Sequence, residues 1–84
     1  MKSSSKDWLG VCLLGKEGKH VTIKGRVSFS GSANCVLRIW DELNAVELWD
    51  SEKNQTVPKT TGIFYIQMRS SDGRSASLSK FTIG

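Results

Sequence analysis

Between Val21 and Asp50 apolar residues return at every second position in three successive runs, separated by turn-forming residues. Side chains on a strand point alternately to opposite faces, so this period commits the segment to half-buried strands and not to helix. In the first run Val21, Ile23, Val27 and Phe29 share one phase, and Thr22, Lys24, Arg26 and Ser28 the other. Gly25 interrupts the apolar row, where it permits a bend, a bulge or a close backbone approach. Ser30-Gly31-Ser32 suits a hairpin turn. The second run sets Cys35, Leu37 and Ile39 against Val36, Arg38 and Trp40. Asp41-Glu42-Leu43-Asn44 supplies turn chemistry, with Leu43 expected to fold back on the core. The third run then places Val46 and Leu48 inward, Glu47 and Trp49 outward.

The flanks extend the pattern. Gly62 to Ser70 reads as a fourth strand with Phe64, Ile66 and Met68 inward and Ile63, Tyr65, Gln67 and Arg69 outward. Ser71-Asp72-Gly73-Arg74 carries the strongest hairpin signal, an Asp-Gly pair between alternating runs. In the fifth run, Ala76 to Ile83, Ala76 and Leu78 are out of phase with Phe81 and Ile83; a bulge near Ser79-Lys80 brings all four to one core. Ser51 to Thr61 is polar, holds the one proline, and is expected as a flexible loop. Residues 1–5 are expected as a frayed tail. Ser5 and Asp7 then read as cap and first turn of a short helix. Its apolar residues, Trp8, Leu9, Val11, Cys12, Leu13 and Leu14, recur at spacings of three and four, and Gly15 serves as the stop.

The expected fold is therefore mainly β: a short N-terminal helix followed by a five-stranded antiparallel meander, as a small barrel or a small β-sandwich. The order resembles the Sm-like and Hfq-like SH3 barrels, through Leu13 to Ile23 and the Trp40-Asp41…Leu48 segment. That family's glycine-to-aspartate spacing is shorter than the interval from Gly31 to Asp41, so no RNA-contacting residue is carried over from it. An OB barrel fits less well, because the loop after the third strand is too polar for that fold's usual helix.

Eighty-four residues suit one domain with a thin core. No apolar run reaches the roughly 20 residues of a membrane span. The N-terminal segment lacks the pattern of an export signal, which makes the cytoplasm the expected compartment. Cys12 and Cys35 lie on apolar faces and match no zinc spacing, so both are expected as reduced, buried thiols, with a single bridge as the alternative. Asn54-Gln55-Thr56 matches the glycosylation acceptor, a match without meaning in the absence of export. Gly15-Lys16-Glu17-Gly18-Lys19 lacks the spacing of a phosphate-cradling loop and reads as a connector. His20, the one histidine, sits at a strand start without neighbours at ligand spacing, and the acidic residues Asp41, Glu42, Glu47, Asp50 and Glu52 match no calcium loop. No catalytic constellation, cofactor or metal is expected.

The net charge of +4 is unevenly spread, with basic ends and an acidic middle, which favours a polyanion or an oppositely patterned protein surface. Lys24, Arg26, Arg38, Trp40, Trp49, Tyr65, Gln67 and Arg69 all fall in the outward phase. Rings that stack bases among cations that neutralise phosphates make the composition of a single-stranded RNA or DNA binder, and these eight are its candidate contacts. Two alternatives stand beside it. Trp40 and Trp49 serve equally as core closers, and Trp, Tyr and Arg also dominate protein interfaces. A homo-oligomer or an accessory subunit would use the same face together with an open sheet edge.

Overall fold

The computed structural model describes residues 1–14, 19–53 and 56–84. Among these the regular elements are all strands: β1 (Lys2–Ser3), β2 (Leu9–Leu14), β3 (Val21–Gly25), β4 (Val27–Gly31), β5 (Cys35–Asp41), β6 (Val46–Asp50), β7 (Val57–Gly62), β8 (Phe64–Ser70) and β9 (Ala76–Ile83). They form three antiparallel sheets, ordered β2-β8-β5-β6, β1-β9-β4 and β3-β7. No sheet closes into a barrel. No helix among the described residues is long and apolar enough to cross a membrane.

The predicted N-terminal helix is absent. Leu9–Leu14 pairs with β8 instead, Leu13 opposite Tyr65 and Leu14 opposite Phe64. Apolar residues three and four apart also arise in a strand that buries parts of both faces, and a helix this short cannot offset its nucleation cost alone. The Ser5 hydroxyl accepts the Asp7 N–H at 3.0 Å, a local turn in place of a helix cap. The expected stop at Gly15, the connector from Gly15 to Gly18 and the Asn54-Gln55 acceptor lie outside the described residues. Residues 1–5 are not a frayed tail: Lys2 and Ser3 pair with Ser77 and Ala76, and Met1 exchanges backbone hydrogen bonds with Leu78.

The meander is also rewired. The first run divides at Arg26 into β3 and β4, which pair with β7 and β9 and not with the second run. Gly25 makes the division possible. Its φ is +111°, and a Cβ there would stand 2.8 Å from the Gly84 carbonyl carbon. Residues 32–34 therefore carry the chain between sheets and do not turn a hairpin. So does the Asp-Gly pair, since β8 and β9 lie in different sheets. The expected loop contains β7, whose Pro58 is accommodated because a two-stranded sheet has only edge strands. The bulge expected in the last strand is present: Ser30 opposes Lys80 and Gly31 opposes Leu78, leaving Ser79 unpaired.

The inner faces meet in one core. Leu37 and Ile39 of β5 and Phe64, Ile66 and Met68 of β8 are its centre, with Ile23, Val57, Trp49 and Ala76 added from the other strands. Fully burying side chains of this size contributes about 1.5–3 kcal/mol each before entropy is counted. Cys35 is in this core, and burial pushes its thiol pKa up. Cys12 is exposed, contrary to expectation, and lines an apolar cleft of about 320 Å³ between β2 and β9. Both cysteines are free.

One polar cluster ties the sheets together. Asp72 Oδ1 accepts from Asn34 Nδ2 at 2.9 Å, the Arg74 N–H at 2.9 Å and the Ser70 hydroxyl at 3.1 Å. These donors, the Asn34 amide first, hold the Asp72 carboxyl below its ordinary pKa. Ser32 continues the cluster, its hydroxyl 2.6 Å from Asn34 Oδ1 and accepting the Ser77 N–H at 2.9 Å.

Candidate functional site

The outward phase of β5 and β8 produces a mixed aromatic and charged face. Antiparallel pairing sets Arg38 beside Gln67, Trp40 beside Tyr65 and Val36 beside Arg69. Five of the eight candidate residues, Arg38, Trp40, Tyr65, Gln67 and Arg69, thus come together, all partly exposed. Trp8, just ahead of β2, completes the face. The Arg38 guanidinium lies 4.5 Å from the Trp8 ring centroid and 4.8 Å from that of Trp40, sandwiched between two indoles. Arg69 approaches the same Trp8 ring at 5.2 Å. Such contacts contribute roughly 0.5–1 kcal/mol each at exposed sites and more when desolvated.

Both arginines are satisfied within the chain. Arg38 Nε donates to Gln67 Oε1 at 2.7 Å, and its terminal nitrogen is 3.8 Å from Glu47 Oε1. Lys53 reaches the other Glu47 oxygen at 3.4 Å. Arg69 pairs with Glu52. The Trp40 indole N–H donates to Glu42 Oε2 at 3.0 Å. With Asp50 opposite Arg38, four carboxylates rim a face that holds three cations.

The other three candidates are elsewhere. Trp49 is 5% exposed and belongs to the core. The cause is a bulge: Ile39 opposes Trp49 and Trp40 opposes Glu47, so Leu48 is the additional residue and the phase of β6 reverses there. Val46 and Leu43, expected inward, are exposed at the β5–β6 turn. Lys24 lies on β3, and Arg26 sits at the β3–β4 junction; both are exposed and far from this face in the sheet order.

Trp8 was legible only as a helical apolar residue, and its place on the face depends on β2 being a strand. Glu47 and Glu52 carry a sequence signal, since the middle of the chain is acidic, but their pairing with particular arginines follows from register. The acidic cluster is used up in this way: Asp41 caps the β5–β6 turn through the N–H groups of Leu43 and Asn44 and the Asn44 amide, and Asp50 accepts the Glu52 N–H at 2.7 Å. No three His, Cys, Asp or Glu side chains among the described residues stand together as a cation site. His20 is exposed.

Compared with protein-family models, with curated proteins and with solved structures, the chain matches none.

Proposed function

We propose that this chain is a non-enzymatic binding module that takes a protein partner on the outer face of β5 and β8. The observation that carries this reading is the Trp8–Arg38–Trp40 stack, whose charge is already balanced by Glu47 and hydrogen-bonded by Gln67. Trp, Tyr and Arg are the residues most enriched among interface hot spots. Packing between rings holds the guanidinium in one orientation, so little ordering remains to be done on binding. Nucleic acid is the weaker occupant of this face, because a phosphate strand there would meet four rim carboxylates.

The sheet ends support the same reading. β2 and β6 are the outer strands of their sheet and leave one backbone edge each, to which a partner strand can add. Two free thiols suit a reducing compartment, and the cytoplasm is the compartment proposed.

The test is a photo-crosslinking amino acid at Tyr65, with a second derivative at Lys24 as the off-face reference, in extracts of cells producing the chain. The expected result is discrete, nuclease-resistant protein adducts from position 65 that disappear with Trp40→Ala. A hot spot costs about 2 kcal/mol or more on truncation, enough to remove most of such an adduct. Nuclease-sensitive adducts, or equal adducts from position 24, would overturn the reading.

A further inference from the structure

The strands of the other two sheets carry a different surface. Residues 19–31, 56–62 and 76–84, which include β3, β4, β7 and β9, hold Lys19, Lys24, Arg26, Lys59 and Lys80 and no Asp or Glu. All five cations are exposed, and none is in ion-pair range of a carboxylate among the described residues. Those of the aromatic face are paired. The fold thus turns a charge asymmetry along the sequence into a division between surfaces.

Within the acid-free surface the β4–β9 ladder forms a shallow depression of about 170 Å³, lined by Ser28, Phe29, Ser30, Lys80 and Thr82. Register explains its composition. Ser28 opposes Thr82 and Ser30 opposes Lys80, so three hydroxyls and one ammonium share the outward face while Phe29 and Phe81 turn to the core. Hydroxyl donors around a lysine suit a phosphate group, which needs several hydrogen bonds and a balancing charge. β3 continues directly into β4 at Arg26, whose backbone exchanges two hydrogen bonds with Gly84, so the adjoining cations sit on a fixed frame.

We propose that the Ser28–Ser30–Lys80–Thr82 depression seats one phosphate of a nucleic-acid backbone, with Lys24, Arg26 and Lys59 neutralising phosphates on either side. Recognition there is of the backbone alone. The large exposed apolar residues are Met1, Leu9, Leu43 and Val46, none of them on these strands, so among the described residues the surface has no exposed Phe, Tyr or Trp to stack a base and no apolar anchor for a bilayer; its one exposed aromatic ring is that of His20, ahead of β3. This site is separate from the aromatic–arginine face and holds whether or not that face takes a protein partner.

Fluorescence anisotropy with fluorescein-labelled oligothymidylate and oligoadenylate of about 16 nucleotides tests the proposal. Removing one phosphate-neutralising cation lowers the salt slope by roughly 0.7 for single strands, or about fivefold in affinity near 0.1 M salt. Lys80→Gln and Lys24→Gln should each show that decrease, and Ser28→Ala a smaller one, with thymidylate and adenylate bound alike. Arg74→Gln makes the same charge change outside the surface and should leave binding unchanged; circular dichroism of each variant confirms the fold. Parent-like binding by both lysine variants, a decrease as large with Arg74→Gln, or a base preference beyond about tenfold overturns the proposal. So does tighter binding to phosphatidylserine vesicles than to oligonucleotide, or displacement of the oligonucleotide by equimolar inorganic phosphate.

Discussion

Replacing Arg38 by alanine removes two ring contacts and one charge-assisted hydrogen bond from the centre of the β5–β8 face. The contacts with Trp8 and Trp40, at 4.5 and 4.8 Å, contribute roughly 0.5–1 kcal/mol each. The Nε–Gln67 bond at 2.7 Å adds about 1–2 kcal/mol, discounted because the Arg38 side chain keeps 19% of its exposure. The Glu47 contact adds little, since it is long and Lys53 remains to serve that carboxylate. Arg38→Ala is therefore expected to cost roughly 2–4 kcal/mol, a large part of the roughly 4–13 kcal/mol that a domain of this size has. With a urea m-value of about 1 kcal/mol/M, the far-UV circular dichroism midpoint should fall by about 2 M or more. A double-mutant cycle with Trp8→Ala isolates one stack and should give a coupling of about 0.5–1 kcal/mol. A coupling indistinguishable from zero, or Arg38→Ala within about 0.5 kcal/mol of the parent, would refute the stacked geometry.

Trp49→Ala should cost about 3–5 kcal/mol of stability, as for a core aromatic. Trp40→Ala should cost only about 1–2 kcal/mol, since it removes one cation–ring interaction and a rim hydrogen bond; equal costs in urea melts would contradict the β6 bulge. Asp72, whose carboxyl pKa is held below the ordinary 3.8 by Asn34 and the Arg74 N–H, stabilises the fold in its charged form. That contribution is full above the ordinary value and is lost as pH falls through the lower folded-state value. The melting-temperature advantage of the parent over Asp72→Asn should accordingly shrink in that acidic window, and an advantage unchanged through it would contradict the assignment. Thiol labelling of the native protein should modify Cys12 and spare Cys35 until denaturant is added; the reverse order would contradict the β2 and β5 registers.

The strand assignments that sequence supports are those with unbroken alternation. In β5 and β8 the inward apolar residues Cys35, Leu37, Ile39, Phe64, Ile66 and Met68 were legible, because both strands are central and alternate regularly, whereas Val36, read as outward, and Asp41, read as turn, are buried as well. Beyond the β5–β6 hairpin, pairing was not legible. Gly25 looks like a bend in one long strand, yet it divides two strands that join different sheets, since the partners β7 and β9 lie at the far end of the chain. Trp49 shows the other limit. One extra residue in β6 reverses the phase, and nothing in Glu47-Leu48-Trp49 marks where that residue falls. Trp8 could join the face only once β2 was a strand, and the apolar spacing of residues 8–14 fits either element. The structure thus brings the β5 and β8 candidates together, puts Trp49 in the core, Lys24 on β3 and Arg26 at the β3–β4 junction, and adds Trp8 to the face.

The central claim is that the chain has two chemically distinct surfaces, a charge-balanced aromatic face on β5–β8 and an acid-free basic one on β3–β7 and β4–β9. A two-dimensional ¹H–¹⁵N NMR titration with oligothymidylate addresses both at once, because Trp8, Trp40 and Trp49 each give an indole N–H signal. Shifts are expected at the amides of Lys24, Arg26, Ser28, Ser30, Lys59, Lys80 and Thr82, with the Trp8 and Trp40 indole signals unmoved. Movement of those two indole signals while the basic strands stay still would contradict the claim.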